Sequence, residues 1–301
     1  MNSNIRYLHN SEIDLDKWDQ TIKNAVNSRV YALSWYLDIL FPDWYGLIYG
    51  DYKYVMPIAP SKKMGINYAL QPVYAQQHGI FPPSTPEITT QFLSWLSQKF
   101  SYFSLSFNSM NLIASELVTI EYRKNFILSL RDTHAEIILK YTSHTSRYVR
   151  KGVRDLTIST TVSLEEYIRL KTIFGKKPIN EAYIKRLKLI IFHALEQGIG
   201  TIYGVYDKHN ELCAAAFFLK EENRYIYLNS VSSPEGKQQR AMYAIVDSFI
   251  GNHAQQPYLL DFEGSNIEGI ARFFEGFGAQ PETYQHVKYN NLPWLLKILK
   301  R

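Results

Sequence analysis

Residues 200–231 read GTIYGVYDKHNELCAAAFFLKEENRYIYLNSV. Three runs rich in Tyr, Val, Ile, Ala and Phe are parted by the polar tetrapeptides DKHN and EENR. Short polar breaks between β-prone runs predict an antiparallel meander of three strands. Upstream, Asn180 is placed to cap a long helix that Gly198 ends. Downstream come a helix over 239–251, a strand PYLLDFEG, a helix over 267–277 and a strand ETYQHVKY. Strands that alternate with helices after a meander predict a mixed, mostly antiparallel sheet flanked by helices.

Further upstream, Thr133 with Glu136 and Ser163 with Glu166 have capping-box spacing. Ser143 opens a basic helix to about Asp155, and LTISTTV reads as a strand. The first half of the chain shows a similar order. Leu15, Trp18, Ile22, Ala25 and Val26 fall on one helical face, and a short helix covers Leu33 to Leu40. From Trp44 to Phe81 the pattern is strand-like, with a turn at SKKMGIN. A helix capped by Thr85 or Thr89 then precedes the strand SYFSLSFN. Element order repeats without a residue-level repeat of fixed period. We therefore divide the chain into residues 1–130 and 131–301, with the terminal apolar helix 292–301 expected to pack back on the first domain.

The 301 residues are enough for two cores, and the composition excludes several classes. Abundant aliphatic and aromatic residues with a net charge of +5 exclude disorder. The single cysteine, Cys213, excludes a disulfide framework and reads as buried and inert. No apolar run approaches the roughly 18 residues of a membrane span, and the polar N-terminus lacks a signal-peptide pattern, so a cytoplasmic location is expected. His134, His144, His193 and His209 show no HxxxH spacing, and no metal site is expected. No GxSxG motif points to a nucleophilic serine. The 23 tyrosines, many in strands, read as sheet packing rather than as a platform for RNA bases.

Charge is concentrated. Between Lys140 and Ile190 there are twelve Lys/Arg and four acids, an excess of +8, so the remaining residues sum to −3. Within that segment Arg147, Arg150, Lys151 and Arg154 follow i, i+3, i+4, i+7 spacing and share a helical face. Such a stripe reads either as a solvated face or as a contact for phosphate groups.

Three stretches carry a family resemblance. RKNFILSLRDTHAEIILKYTSHTSRYVRKGV (123–153) has Arg147, Arg150, Lys151 and Gly152 in an Arg-x-x-(Arg/Lys)-Lys-(small) pattern. YLLDFEGSNIEGIARFFEGFGA (258–279) runs from a late strand into a helix ending Phe-Gly-Ala, and QPVYAQQHGIF (71–81) reads as a first-domain strand. Together they resemble the Fem-type (FemAB-like) aminoacyltransferases, which join two GNAT domains in tandem and build peptidoglycan cross-bridges. The resemblance implies an α/β protein of two GNAT-like domains. It also implies acyl or aminoacyl transfer to an amine, for example on a peptidoglycan precursor. The donor would be aminoacyl-tRNA or acyl-CoA with no tightly bound cofactor, and a lipid-linked acceptor would bring the protein to a membrane surface. Acetyl-CoA-dependent transfer to a small molecule or protein, and a non-catalytic binding module, are the alternatives.

One departure bears on the donor. Acetyl-CoA-dependent GNATs usually carry a Gly-x-Gly/Ala loop after the strand corresponding to YIYLNSV, whereas this chain has Ser232-Ser233-Pro234-Glu235-Gly236-Lys237-Gln238-Gln239-Arg240-Ala241, with one glycine. Gly236, Lys237 and Arg240 are the donor-phosphate candidates in that loop. Amide formation needs a neutral amine, oxyanion donors and a proton acceptor. Asp261 and Glu263, expected on one face of a strand end, are the candidate acceptors; their alternative roles are to cap the next helix or pair with Arg272. Gln76, Gln77 and His78, at the end of a Pro-Val-Tyr strand, are candidates for holding the acceptor in a cleft between the domains.

Overall fold

The structure, a computed structural model, describes residues 4–175, 180–264 and 266–294. The chain opens with β1 (Ile5–His9), α1 (Leu15–Lys23), α2 (Ser34–Leu40), β2 (Tyr45–Tyr49), β3 (Tyr54–Ile58), β4 (Pro60–Lys63), β5 (Ile66–Leu70), α3 (Pro86–Lys99) and β6 (Tyr102–Phe107). It continues with β7 (Thr119–Ser129), α4 (His134–Ile138), α5 (Ser143–Asp155), β8 (Thr157–Ser159), α6 (Leu164–Phe174), α7 (Glu181–Glu196) and β9 (Gly200–Tyr206). The last elements are β10 (Leu212–Lys220), β11 (Arg224–Ser232), α8 (Pro234–Gln238), α9 (Ala241–His253), β12 (Leu259–Asp261), α10 (Glu268–Glu275) and β13 (Gln280–Asn290). Two compact units result. One comprises residues up to Arg123 together with those from Thr283, and the other runs from Lys124 to Glu282. The division at 130/131 read from sequence differs from these units in where residues 124–130 and the segment from Thr283 fall.

In the first unit β1, β2 and β3 form an antiparallel sheet. Separately, the β4–β5 hairpin leads to β6 by a parallel pairing, and β6 pairs antiparallel with β13. The apolar face of α1 buries Trp18 and Ile22, with the Trp18 and Trp44 rings 4.9 Å apart. Thr85 caps α3, which buries Phe92, Leu93 and Leu96. Leu15 and Val26, expected on the buried face of the first helix, are exposed: Leu15 is the first residue of α1, and Val26 lies beyond its end at Lys23.

Two readings of this half need correction, and β1, a segment outside the sequence reading, adds a strand paired with β2. The turn SKKMGIN is a hairpin whose loop residues Met64 and Gly65 take φ of 49° and 79°. Residues 71–81 are not a strand. Tyr74 (φ 69°) and Gly79 (φ 114°) break the extended path, leaving only isolated bridges from His78 to Phe107 and from Phe81 to Val55.

The second unit places its strands in the order β7-β12-β11-β10-β9-β8. The predicted meander is β9, β10 and β11, paired antiparallel. β10 is buried almost throughout, and its small residues Cys213 to Ala216 let helical segments come close. A Cβ on Gly236 of α8 would sit 2.2 Å from the Cys213 carbonyl oxygen, so that position excludes any larger side chain. α9 buries Ala241, Ala244, Ile245, Val246, Phe249 and Ile250, and Phe249 stacks on Phe218 at 3.7 Å. The basic helix α5 approaches α9 at Gly152, where a Cβ would meet that of Ala244 at 3.0 Å. Both expected capping boxes form, and Asn180 caps α7. The helix expected over 239–251 is α9, and a short α8 outside that expectation precedes it, the two being separated at Arg240 by its left-handed φ of 63°. The expected terminal helix over 292–301 lies outside the described residues from 295 on.

Candidate active site

β12 accompanies β11 over three residues, Leu259–Asp261 beside Arg224–Ile226 in parallel, and then ends. β11 runs on to Ser232 with β10 as its partner on the other side. From Tyr227 onward one edge of β11 is therefore without β12. A cleft of about 640 Å³ lies there, and Tyr227, Ser230, Val231 and Ser232 line it. Within the same stretch the β10–β11 register shifts, with Phe217 opposite Asn229 and Phe218 opposite Tyr227, so that Leu228 is an extra residue in β11.

The C-terminal end of α6 forms one wall. Ser163 starts this helix with its capping box, and Leu164, Tyr167 and Leu170 are buried on one face. On that face the Tyr167 hydroxyl donates to Asn229 Oδ1 at 2.9 Å, and the Lys171 Nζ donates to the Ser230 carbonyl oxygen at 3.0 Å. Burial penalises the charged form of Lys171 and lowers its pKa from the usual 10.5 to about 8. An amine with that value is mostly protonated at neutral pH, loses its proton through about pH 8, and has a lone pair available far more readily than an ordinary lysine. Tyr227, also on the cleft, is buried, and burial raises the pKa of its phenol well above 10.

The opposite walls come from the start of α9 and from α10. Arg240 precedes α9 as an uncapped N-cap residue with left-handed backbone, a conformation that costs a non-glycine residue free energy and recurs at ligand sites. Its guanidinium lies 4.3 Å over the Tyr148 ring, and that of Arg147 lies 5.3 Å over the same ring. Lys171, Lys237 and Arg240 are the charged side chains among the described residues lining the cleft, and all are cations. Phe174, Met242, Ile270, Phe273 and Phe274 give the rest of the lining an apolar character.

The sequence candidates are distributed as follows. Gly236, Lys237 and Arg240 line the cleft. Arg147, Arg150, Lys151 and Arg154 lie on α5 with exposed side chains; Lys151 Nζ reaches the Gln238 carbonyl at 3.4 Å, and Arg150 Nε donates to the Ser146 carbonyl at 3.2 Å. Asp261 and Glu263 are not among the cleft residues. Asp261 is 2% exposed, with Oδ2 accepting from Arg224 Nη1 at 2.6 Å and Oδ1 accepting from the Glu263 N–H at 2.9 Å. Burial opposes the charge of Arg224, but Asp261, Glu221 and Glu282 outweigh it and hold the guanidinium ionised. β12 ends at Asp261 and Glu263 takes a φ of 55°, so the expected shared strand face does not exist. α10 starts at Glu268 after Ile267, whose own side chain makes no cap, and Arg272, the expected partner, pairs with Glu268.

Gln77 and His78 are interior groups of the first unit. Gln77 Oε1 accepts from the Ser109 N–H, and Gln77 Nε2 donates to Gln76 Oε1. His78 Nε2 lies 3.0 Å from the Tyr31 carbonyl oxygen, and burial lowers its pKa to about 4, so it is neutral. Cys213 is buried, and its thiol is pushed up to about 11 by that burial. Lys171 was absent from the sequence candidates, where it counted only as one more cation. The available signal was its place at i+4 from Tyr167, on the apolar face of α6, where an unpaired lysine is uncommon.

No family model and no curated protein matches this sequence. Solved structures do. A crystal structure of FemX matches with a TM-score of 0.65 over 98% of this chain and 100% of that one, at 13% identity. The C-terminal (DUF2156) domain of a putative lysylphosphatidylglycerol synthetase from Agrobacterium fabrum matches with a TM-score of 0.58 over 93% of each chain, at 11% identity. A GNAT-family acetyltransferase from Colwellia psychrerythraea matches with a TM-score of 0.54 over 95% of this chain and 99% of that one, at 13% identity. The chain thus has the fold of FemX and GNAT proteins, as its motifs implied. Among the described residues no helix is long and apolar enough to cross a membrane.

Proposed function

We propose that the protein is an N-acyltransferase that works in the cleft beside β11. The observation that carries this reading is Lys171, a largely desolvated amine held by the Ser230 carbonyl on the open edge of a GNAT-type sheet. The acceptor amine attacks the acyl carbonyl, forming the C–N bond and a tetrahedral intermediate. Backbone N–H groups on the unpartnered β11 edge are the available oxyanion donors. Collapse breaks the donor C–S or C–O bond. Lys171 takes the proton released by the amine and returns it to the leaving thiolate or alkoxide. We assign the acceptor role to Lys171 rather than to Asp261, whose oxygens are both engaged, or to Glu263.

Lys237 and Arg240 at the cleft, with Arg147 and Arg150 on α5, suit the phosphates of a coenzyme A or tRNA donor. The Fem-type motifs favour a peptidoglycan-precursor amine as acceptor, and with it a cytoplasmic site of action. The test is to incubate the protein with acyl-CoA and aminoacyl-tRNA donors and amine acceptors, including a UDP-linked muropeptide, and to detect amide product by mass spectrometry. Product that forms with the native protein and is lost in Lys171→Met supports the reading. Equal product from both proteins assigns the chemistry elsewhere.

A further inference from the structure

Phe174 and Ile270 both line the cleft, yet they are 39% and 41% exposed. Large apolar side chains left open at the mouth of a cleft imply an apolar occupant. Deeper in, Val231, Met242, Phe273 and Phe274 continue the same surface. The volume of about 640 Å³ lies within the range of sites that enclose drug-sized ligands, room for an acyl chain together with part of its carrier. Gly269 adds room, since a Cβ there would meet nothing within 4 Å.

The charges point the same way. No carboxylate lies among the described lining residues. Three carboxylates adjoin them in sequence, Glu235, Glu268 and Glu275, and the first two are bonded to Gln239 and Arg272. An aminoacyl group carries an α-ammonium, which here would meet Lys171, Lys237 and Arg240 with no lining carboxylate to pair with it. Desolvating a cation in that setting is unfavourable. An uncharged acyl chain has no such cost and gains from contact with the phenylalanines.

We infer that the group transferred in this cleft is an uncharged, apolar acyl chain of several carbons, carried as a thioester, and not an aminoacyl or acetyl group. The inference rests on the acyl-transfer reading above and deepens it. Binding and turnover together separate the two. The first probe is a series of S-alkyl coenzyme A thioethers from ethyl to octyl, whose dissociation constants are measured by calorimetry independently of any reaction. Affinity should rise by up to about fourfold per added methylene, the factor equivalent to about 0.8 kcal/mol. Ile270→Ser and Phe174→Ser, both at partly exposed positions, should flatten that rise while leaving the unfolding midpoint unchanged.

The second probe is kcat/KM for acetyl- to octanoyl-CoA with one amine acceptor, beside an aminoacyl-tRNA. Increasing kcat/KM with chain length supports the inference. Acetyl-CoA turned over with no chain-length dependence overturns it and leaves acyl transfer standing, as does aminoacyl-tRNA used in preference to acyl-CoA. Chain-dependent binding with no amide product from any donor keeps the apolar site and overturns the acyl-transfer reading instead. A flat thioether series overturns the apolar site itself.

Discussion

Lys171 Nζ lies 3.0 Å from the carbonyl oxygen of Ser230, so that an α6 side chain is fixed against the β11 edge that β12 has left. One hydrogen of the amine is committed to that carbonyl, which orients the nitrogen. Burial favours its neutral form, and the cleft gives a substrate access to it. Orientation, a lowered pKa and access to the cleft come together at Lys171.

Lys171→Met should lower kcat by about 10²- to 10⁴-fold, the usual contribution of a general base. In the native protein kcat should rise with pH through about 8 as the amine loses its proton, and the variant should lack that limb. Rate profiles from pH 6 to 10 on both proteins decide this. An unchanged limb in the variant would assign the ionisation to another group.

The same substitution should stabilise the fold at neutral pH. Between about 8 and 10.5 the unfolded chain holds a proton on Lys171 that the folded protein does not, so native stability rises with pH across that window. Below pH 8 the folded protein bears the full desolvation cost. Urea unfolding at pH 7 should show Lys171→Met more stable by on the order of 1–3 kcal/mol, with a flatter pH dependence above pH 8.

Asp261→Ala should act on stability before it acts on chemistry. It would leave Arg224, 5% exposed, with Glu282 at 3.7 Å after loss of its 2.6 Å partner. Breaking one side of a buried ion pair costs about 3–5 kcal/mol. A lower unfolding free energy with the rate of the folded fraction preserved is expected. Loss of rate at unchanged stability would return Asp261 to the chemistry.

Two buried histidines of the first unit should make the protein acid-sensitive. His78 and His286 have pKa values lowered to about 4, chiefly by burial, and His286 lies between the hydroxyls of Ser104 and Ser106. Between about 4 and 6.5 the unfolded chain binds protons there that the folded one does not, so stability falls as pH drops through this range. Chemical denaturation at pH 7, 5.5 and 4.5 should show that loss. Replacing both residues by Gln should reduce its slope, and an undiminished slope would place the acid sensitivity elsewhere.

Two glycines on the cleft should respond in opposite directions. Gly236→Ala drives a Cβ to 2.2 Å from the Cys213 carbonyl, and relieving that clash should cost about 1–3 kcal/mol. Gly269→Ala meets nothing within 4 Å inside α10 and should stabilise by about 0.5–1 kcal/mol through helix propensity. Thermal unfolding of the two single variants measures both effects.

The meander and the capped helices were legible because their signals are local. Polar breaks at DKHN and EENR, and the reciprocal bonds of Thr133 with Glu136 and Ser163 with Glu166, need no distant partner. The cleft was half legible: Gly236, Lys237 and Arg240 follow from the loop position that the motifs implied. Lys171 was not, because its altered ionisation comes from burial against β11, some 60 residues away in sequence. The strand face expected to carry both Asp261 and Glu263 is missing for a related reason. Period-2 alternation presumes a continuing strand, and nothing in DFEG announces that β12 ends at its first residue.

The placement of β13 has a consequence for synthesis. β6 ends at Phe107, but its antiparallel partner begins at Gln280, so the strand is translated long before its neighbour exists. At about 5–20 residues per second the ribosome needs roughly 10–40 s to supply it. During that interval the segment from Lys124 to Glu282 emerges in full, whereas the nascent first unit still lacks its last strand. Truncation before residue 283 should therefore leave β6 with an open edge and a sticky, chaperone-dependent product.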